Sequence, residues 1–277
     1  TRVIAKGSGM PQVFNDEAVI PALEAHGVSH EDAMDYAIVG CVELTTQGNA
    51  LNWSDAAMFN LVEALLEALR SDFSGQEALR QRLIHKSPKY GNDIAAVDDI
   101  GAKWTRYFGE RLKQYRNRRG GLYQMGLYTV SAHVPMGQNV GASADGRHAR
   151  DPLADGGVSA MYGRDQAGPT ALLKSVSKLP YVMASNGTLL NMKFLPQFFA
   201  TQAGIDKFTA FLRAFCRLGI SHIQFNVLNE ADLRAAQKEP EKYRSLTVRV
   251  AGYTAYFTEL APDLQEEIIA RTSYEAV

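Results

Sequence analysis

A chain of 277 residues with 46% apolar and 21% charged side chains can bury a sizeable core. Those proportions exclude a disordered tail, a collagen-like fibre and a disulfide-stapled mini-domain. Twenty-nine basic against thirty acidic side chains leave a net charge of −1, which argues against a nucleic-acid binder or a polybasic membrane-surface protein.

The chain opens TRVIAKGSGM, without the pattern of a secretory leader, and no apolar window reaches about eighteen residues. A cytoplasmic protein without a membrane span is the expectation. Cys41 and Cys216 lie far apart, and there is no CxxC, no HExxH and no Cys/His cluster. Neither a structural zinc site nor a disulfide is expected, and no metal is assigned.

In chain order, Pro11 and Pro21 break any long helix near the start, and Tyr36 to Val39 reads as a buried strand end that stops at Gly40. CVELTTQGNALNW reads as a loop. Ser54 or Asp55 then caps a helix through about Arg70, with Met58, Leu61, Val62, Leu65, Leu66 and Leu69 at helical spacing. A polar stretch follows. Asp98 to Asn117 is a second helical run, ended by RRGG.

Residues 122–170, rich in glycine and proline, read as short strands joined by structured loops. Ile205 to Leu218 is an amphipathic helix, with Phe208, Phe211 and Phe215 on its apolar face and Cys216 read as packing there. SHIQFNVL, Ser221 to Leu228, alternates like a strand. Asn229 caps a helix over EADLRAAQ, and Pro240 helps end it. Leu246 to Tyr256 is an apolar strand–loop with Gly252 at its tip, and Pro262 starts a last helix, Asp263 to Arg271. Strands alternating with helices indicate an α/β fold.

Two short motifs carry chemistry. The first is Gly40-Cys41-Val42-Glu43. Its cysteine has three readings: a small buried hydrophobe, a thiolate nucleophile, or a redox residue working as a thiyl radical. No histidine beside it stands out, and the Glu43 charge would raise the thiol pKa, which disfavours the thiolate. The second is Val248-Arg249-Val250-Ala251-Gly252-Tyr253. A glycine in an apolar strand–loop marks a turn or a close backbone approach. Glycine is also the residue whose α-carbon radical can flatten without a clashing side chain and delocalise over both flanking peptide groups.

Taken together, GCVE and RVAGY resemble the cysteine loop and the glycyl radical loop of the glycyl radical enzymes, the superfamily of pyruvate formate-lyase and the diol dehydratases. The resemblance continues through DGRHARDPLADGG, ASNGTLLNMKF and HIQFNVLNEADLRAAQKEPEKYR in the same order. It implies the C-terminal part of a ten-stranded α/β barrel in which Cys41 and Gly252 tip two finger loops that meet at the centre. It treats residues 1–277 as one catalytic domain, with a cysteine-loop region over about 1–120 and a radical domain over about 121–277.

The resemblance also implies a post-translational radical at Gly252, no bound cofactor, and a radical S-adenosylmethionine activating enzyme as partner. The substrate would be a small molecule, and a homodimer is left open. Gly40 stands where pyruvate formate-lyase has a second cysteine, which disfavours acyl transfer to coenzyme A. Glu43 matches the glutamate of the eliminating members, and Asp55 lines up with an aspartate that binds a substrate hydroxyl. The implied reaction is loss of water from a 1,2-diol. The alternatives are carbon–sulfur cleavage of the isethionate type, carbon–nitrogen cleavage of the choline type, a radical-bearing fragment that complements a damaged enzyme, and a non-catalytic barrel piece. His133 is either a barrel-facing residue or a satisfied core histidine, and Arg249 is read as a buttress of the loop. Family chains are longer; an incomplete barrel would open the radical site to solvent, which a glycyl radical tolerates badly, so catalysis of this kind wants Cys41 and Gly252 near contact inside a closed cavity.

Overall fold

The computed structural model describes residues 55–275, and their side chains from 62 onward. The strand end expected at Tyr36–Val39 lies outside the described residues. Two compact units divide the chain: one holds residues up to 88 together with 139–151, the other residues 89–138 together with 152 onward.

The first unit contains helix α1, Asp55–Arg70, with the bounds expected from its apolar spacing. Leu65, Leu66 and Leu69 are buried, as that spacing requires. A turn follows in which Asp72 and Phe73 take φ of 51° and 59°, and Phe73 is carried inward against Leu65, Ala68, Leu69 and Leu83. Leu83 belongs to helix α2, Glu77–Lys86, inside the stretch read only as polar. The loop at 139–151 is organised by buried Arg147. Its guanidinium donates to the carbonyls of His148 (2.9 Å), Asp151 (2.8 Å) and Gly141, and to Ser143 Oγ (3.2 Å). One side chain thereby supplies the acceptors of an irregular loop with donors that no ladder provides.

In the second unit, helix α3 runs Ala95–Leu112, ending five residues before the Asn117 expected from sequence. Residues 122–170 were expected to hold short strands. Among the described residues they instead form loops, one short helix α4, His133–Gly137, and single β-bridges at Arg116↔Leu122 and Leu127↔Thr188. Glycine and proline at this density interrupt any run of ladder bonds. Helix α5, Pro169–Ser177, starts on its proline and buries Leu172, Leu173 and Val176.

The remaining elements are strand β1 (Asn191–Phe194), helix α6 (Gln202–Arg217), strand β2 (Gln224–Val227), helix α7 (Glu230–Lys238), strands β3 (Thr247–Arg249) and β4 (Thr254–Tyr256), helix α8 (Pro262–Ala270) and strand β5 (Ser273–Tyr274). Asn229 caps α7 as expected, its Oδ1 accepting from Asp232 N–H at 2.8 Å. Strands β2, β1 and β5 form a parallel sheet in that order, and β3 pairs antiparallel with β4. Strands β1 and β2 flank α6, the crossover that parallel pairing demands.

The sheet has two unlike faces, because successive side chains alternate. Asn191 pairs with Gln224 and Lys193 with Asn226 on one face; Met192 pairs with Phe225 and Phe194 with Val227 on the other. The second face meets an aromatic cluster. Phe194, fully buried, lies 5.5 to 5.9 Å ring to ring from Phe198, Phe208, Phe211, Phe225 and Tyr274. Phe194→Ala should therefore destabilise the unit by about 3–5 kcal/mol, read as a lower urea midpoint at unchanged slope. Cys216 is exposed rather than packed. It follows buried Phe211 by five positions, which at about 100° per residue carries it roughly 140° round the helix from the apolar face. Among the described residues, no helix is long and apolar enough to cross a membrane.

Candidate active site

The polar face of the sheet holds the glycine loop. Strands β3 and β4 form a hairpin in which Arg249 pairs with Thr254, and the Val250 N–H donates to the Tyr253 carbonyl at 3.0 Å. Ala251 and Gly252 form the tip. Val250 and Ala251 are fully buried, while Gly252 is exposed with φ of +87°. That conformation is open to glycine and strained for a side-chain-bearing residue.

Polar side chains from β1, β2 and the end of α8 grip this hairpin through its backbone. Asn226 Nδ2 donates to the Arg249 carbonyl (2.7 Å), and Asn226 Oδ1 accepts from the Arg249 N–H (2.8 Å). The Val250 carbonyl accepts from Asn191 Nδ2 (3.0 Å) and from Arg271 Nη1 (2.8 Å). Gln224 Oε1 accepts from the Gly252 N–H (3.2 Å) and from Arg249 Nη2 (2.9 Å). The Arg249 Nη1 donates to Thr254 Oγ1 (2.9 Å), so this arginine braces the hairpin.

Behind the grip sits a buried charge cluster. Arg271 meets Glu267 in a two-point pair, 2.9 and 2.8 Å, and lies 3.5 Å from Asp155. His133, wholly buried, brings Nε2 to 3.1 Å from Glu267 Oε2 without meeting hydrogen-bond geometry, and its Nδ1 is 3.3 Å from Thr129 Oγ1. His133 is thus a core histidine on a carboxylate. Burial is the main cause raising the Asp155 carboxyl above the usual range, and the Glu267 charge adds to it against the pull of Arg271. Burial would also raise Glu267, but the His133 imidazole and the Arg271 guanidinium hold it below its ordinary value.

Lys193 crosses the same face and donates to the carbonyls of Ile268 (3.3 Å) and Ile269 (2.7 Å) near the C-terminal end of α8. Burial, with the Arg271 charge second, lowers its pKa to about 8. A lysine that is less basic in the fold than in the unfolded chain binds fewer protons when folded. Stability should therefore rise as pH climbs from about 8 toward the ordinary lysine range. Thermal unfolding between pH 8 and 9.5 should show that rise in wild type and lose it in Lys193→Met. Beside this face a small, partly open pocket is lined by Asp155, Ser159, Asp165, Asn191, Lys193 and Arg271, among others.

Of the residues singled out in the sequence, Gly252 is at the tip where the strand–loop pattern placed it. Cys41 and Glu43 lie outside the described residues. Asp55 is the first residue of α1, and its side chain also lies outside them. Sequence reasoning missed Asn191, Gln224, Asn226, Asp155, Glu267 and Arg271. A signal for two of them was present: in an alternating strand, polar residues two apart, Gln224 and Asn226, line one whole face, and both are buried.

Two family models match the chain. One, described as glycine radical, covers residues 154–258 and includes the whole hairpin. The other, described as pyruvate formate lyase-like, covers residues 1–70 and 62–137. The probable dehydratase YbiW of Escherichia coli (strain K12) is 44% identical over 221 residues, 76% of this chain and 27% of its own. Isethionate sulfite-lyase of Bilophila wadsworthia (strain 3_1_6) is 41% identical over 77% of this chain and 26% of its own. Among solved structures, the glycerol-bound B12-independent glycerol dehydratase of Clostridium butyricum superposes with a TM-score of 0.77 at 38% identity, over 87% of this chain and 30% of that one. The chain spans between a quarter and a third of the length of these relatives.

Proposed function

Because the chain belongs to the glycyl radical enzyme family, as the C-terminal part of its members, we propose that it serves a radical elimination with Gly252 as the resting spin carrier. An activating enzyme that uses S-adenosylmethionine and an iron–sulfur cluster takes one hydrogen atom from the Gly252 α-carbon. The glycyl radical takes the hydrogen of the Cys41 thiol. The thiyl radical then takes a hydrogen atom from a hydroxyl-bearing carbon of a small substrate.

That substrate radical has a more acidic O–H, so the Glu43 carboxylate accepts its proton as the bond to the β-substituent breaks. The leaving group departs with the bonding electron pair and, where it is hydroxide, takes the proton held on Glu43 to leave as water. The resulting carbonyl radical recovers a hydrogen atom from Cys41, and the reaction is redox-neutral. Asp55 holds a substrate hydroxyl. Water from a 1,2-diol is the leaving group we favour, and the similarity to isethionate sulfite-lyase supports sulfite as the second reading.

The observation that carries the proposal is a glycine in the left-handed region at the tip of a hairpin whose Arg249 and Val250 carbonyls are fixed by side chains of Asn226, Asn191 and Arg271. The test is anaerobic activation followed by electron paramagnetic resonance and product analysis, with propane-1,2-diol, glycerol and isethionate as substrates. A glycyl doublet with product supports the reading. A doublet without product from any of them favours the second role, a radical carrier for another polypeptide. No doublet overturns both.

A further inference from the structure

Gln224 touches the glycine itself, where the other clamps touch its neighbours. Two donors, the Gly252 N–H and Arg249 Nη2, converge on one atom, so that atom is the amide oxygen. The other end of the same side chain, Nε2, donates to Asn191 Oδ1. Asn191 is fixed in turn by Asp155 Oδ2 and the Val250 carbonyl. Gln224 is buried, so its acceptor is held in place before any radical is present.

A radical at the Gly252 α-carbon shares its spin with the nitrogen lone pair on one side and the carbonyl on the other. The nitrogen releases more electron density when its N–H donates to an acceptor. Arg249 draws on the same oxygen and weakens that effect. Asn226 meanwhile pairs both polar groups of the Arg249 backbone as a neighbouring strand would, which fixes the peptide plane entering the tip. We propose that Gln224 is a positioning residue for the radical: its Oε1, oriented by Asn191 and shared with Arg249, fixes the Gly252 amide and sets the spin density on its nitrogen. No proton or electron passes through Gln224. The inference rests on Gly252 being the radical carrier.

The test uses the full chain in two states, uniformly labelled with ¹⁵N for amide exchange and labelled with ¹⁵N-glycine for the radical measurement. Before activation, amide exchange at Gly252 is read by nuclear magnetic resonance, with unaffected exchange elsewhere in β3–β4 as the folding control. Gln224→Met removes the acceptor and is expected to speed exchange at Gly252 about tenfold, the scale of one modest hydrogen bond. Gln224→Glu keeps an acceptor oxygen but loses the Nε2 donor to Asn191 Oδ1, so it should restore slow exchange only in part. Arg249→Met leaves Gln224 intact, frees Oε1 for the glycine alone, and should slow it further.

After activation, the ¹⁵N hyperfine splitting of the doublet should fall in Gln224→Met and return in part in Gln224→Glu. Equal exchange at Gly252 in wild type, Gln224→Met and Arg249→Met overturns the positioning contact. An intact exchange contrast with identical splittings overturns the spin-setting role alone. An intact exchange contrast with no doublet in wild type overturns the assignment of Gly252 as carrier, and the spin-setting role with it.

Discussion

Activated Gly252→Ala protein is expected to show no glycyl doublet at all while remaining folded. The two effects separate because they differ in size. At φ of +87°, an alanine pays backbone strain of about 1–2 kcal/mol. Its Cβ would sit 3.2 Å from Leu189 Cδ1, the movable end of a side chain. Thermal unfolding should therefore drop by only a few degrees. The radical loses more: with a methyl group on the α-carbon, flattening drives that group toward the flanking peptides and Leu189. Anaerobic electron paramagnetic resonance reads the first effect and calorimetry the second. A persisting doublet would remove Gly252 as the spin carrier whatever the thermal result.

The second large effect is at Cys41. Cys41→Ala should retain the glycyl doublet and lose product down to the uncatalysed background, because the stored spin then has no thiol through which to reach a substrate. Cys216→Ala is the matched control. Its thiol is exposed on α6, and the variant should turn over like wild type. Continued turnover by the Cys41 variant would sink the thiyl assignment, and comparable loss in the Cys216 variant would redirect it.

Local signals in the sequence placed most of the regular elements. The apolar spacing of α1, the Asn229 cap of α7 and the proline that opens α8 each act within one or two turns, and all three stand where their residues put them. The tip glycine was visible for the same reason. Helix α2 was not, because Leu83 is its only buried residue and leaves almost no apolar period to detect. The loops of 122–170 looked like strands because short apolar runs between glycines resemble strand fragments until their partners are known. Arg147 shows what holds such a segment instead: one guanidinium serving several scattered carbonyls.

The clamp was hidden for a different reason. Asn191, Gln224 and Arg271 come from β1, β2 and the residue after α8, and only the parallel register brings them to one backbone segment. Buried polar residues on strands are informative because burial without partners is costly. On the hairpin, however, their partners are largely main-chain groups, the Val250 carbonyl and the Gly252 N–H, which carry no side-chain signature that a reader of the sequence could match.

The position of Arg271 has a consequence for biosynthesis. Translation delivers the hairpin first and its guanidinium anchor later, after all of α8. A nascent chain can close the β3–β4 pairing early, yet the Val250 carbonyl waits for a group still being assembled on the ribosome. A premature stop just after Ala270 would yield a polypeptide that keeps the helices among the described residues and the hairpin but lacks both that anchor and the edge strand β5. Such a polypeptide would keep the Gln224 contact to the Gly252 N–H while leaving the Val250 carbonyl with Asn191 as its remaining side-chain donor.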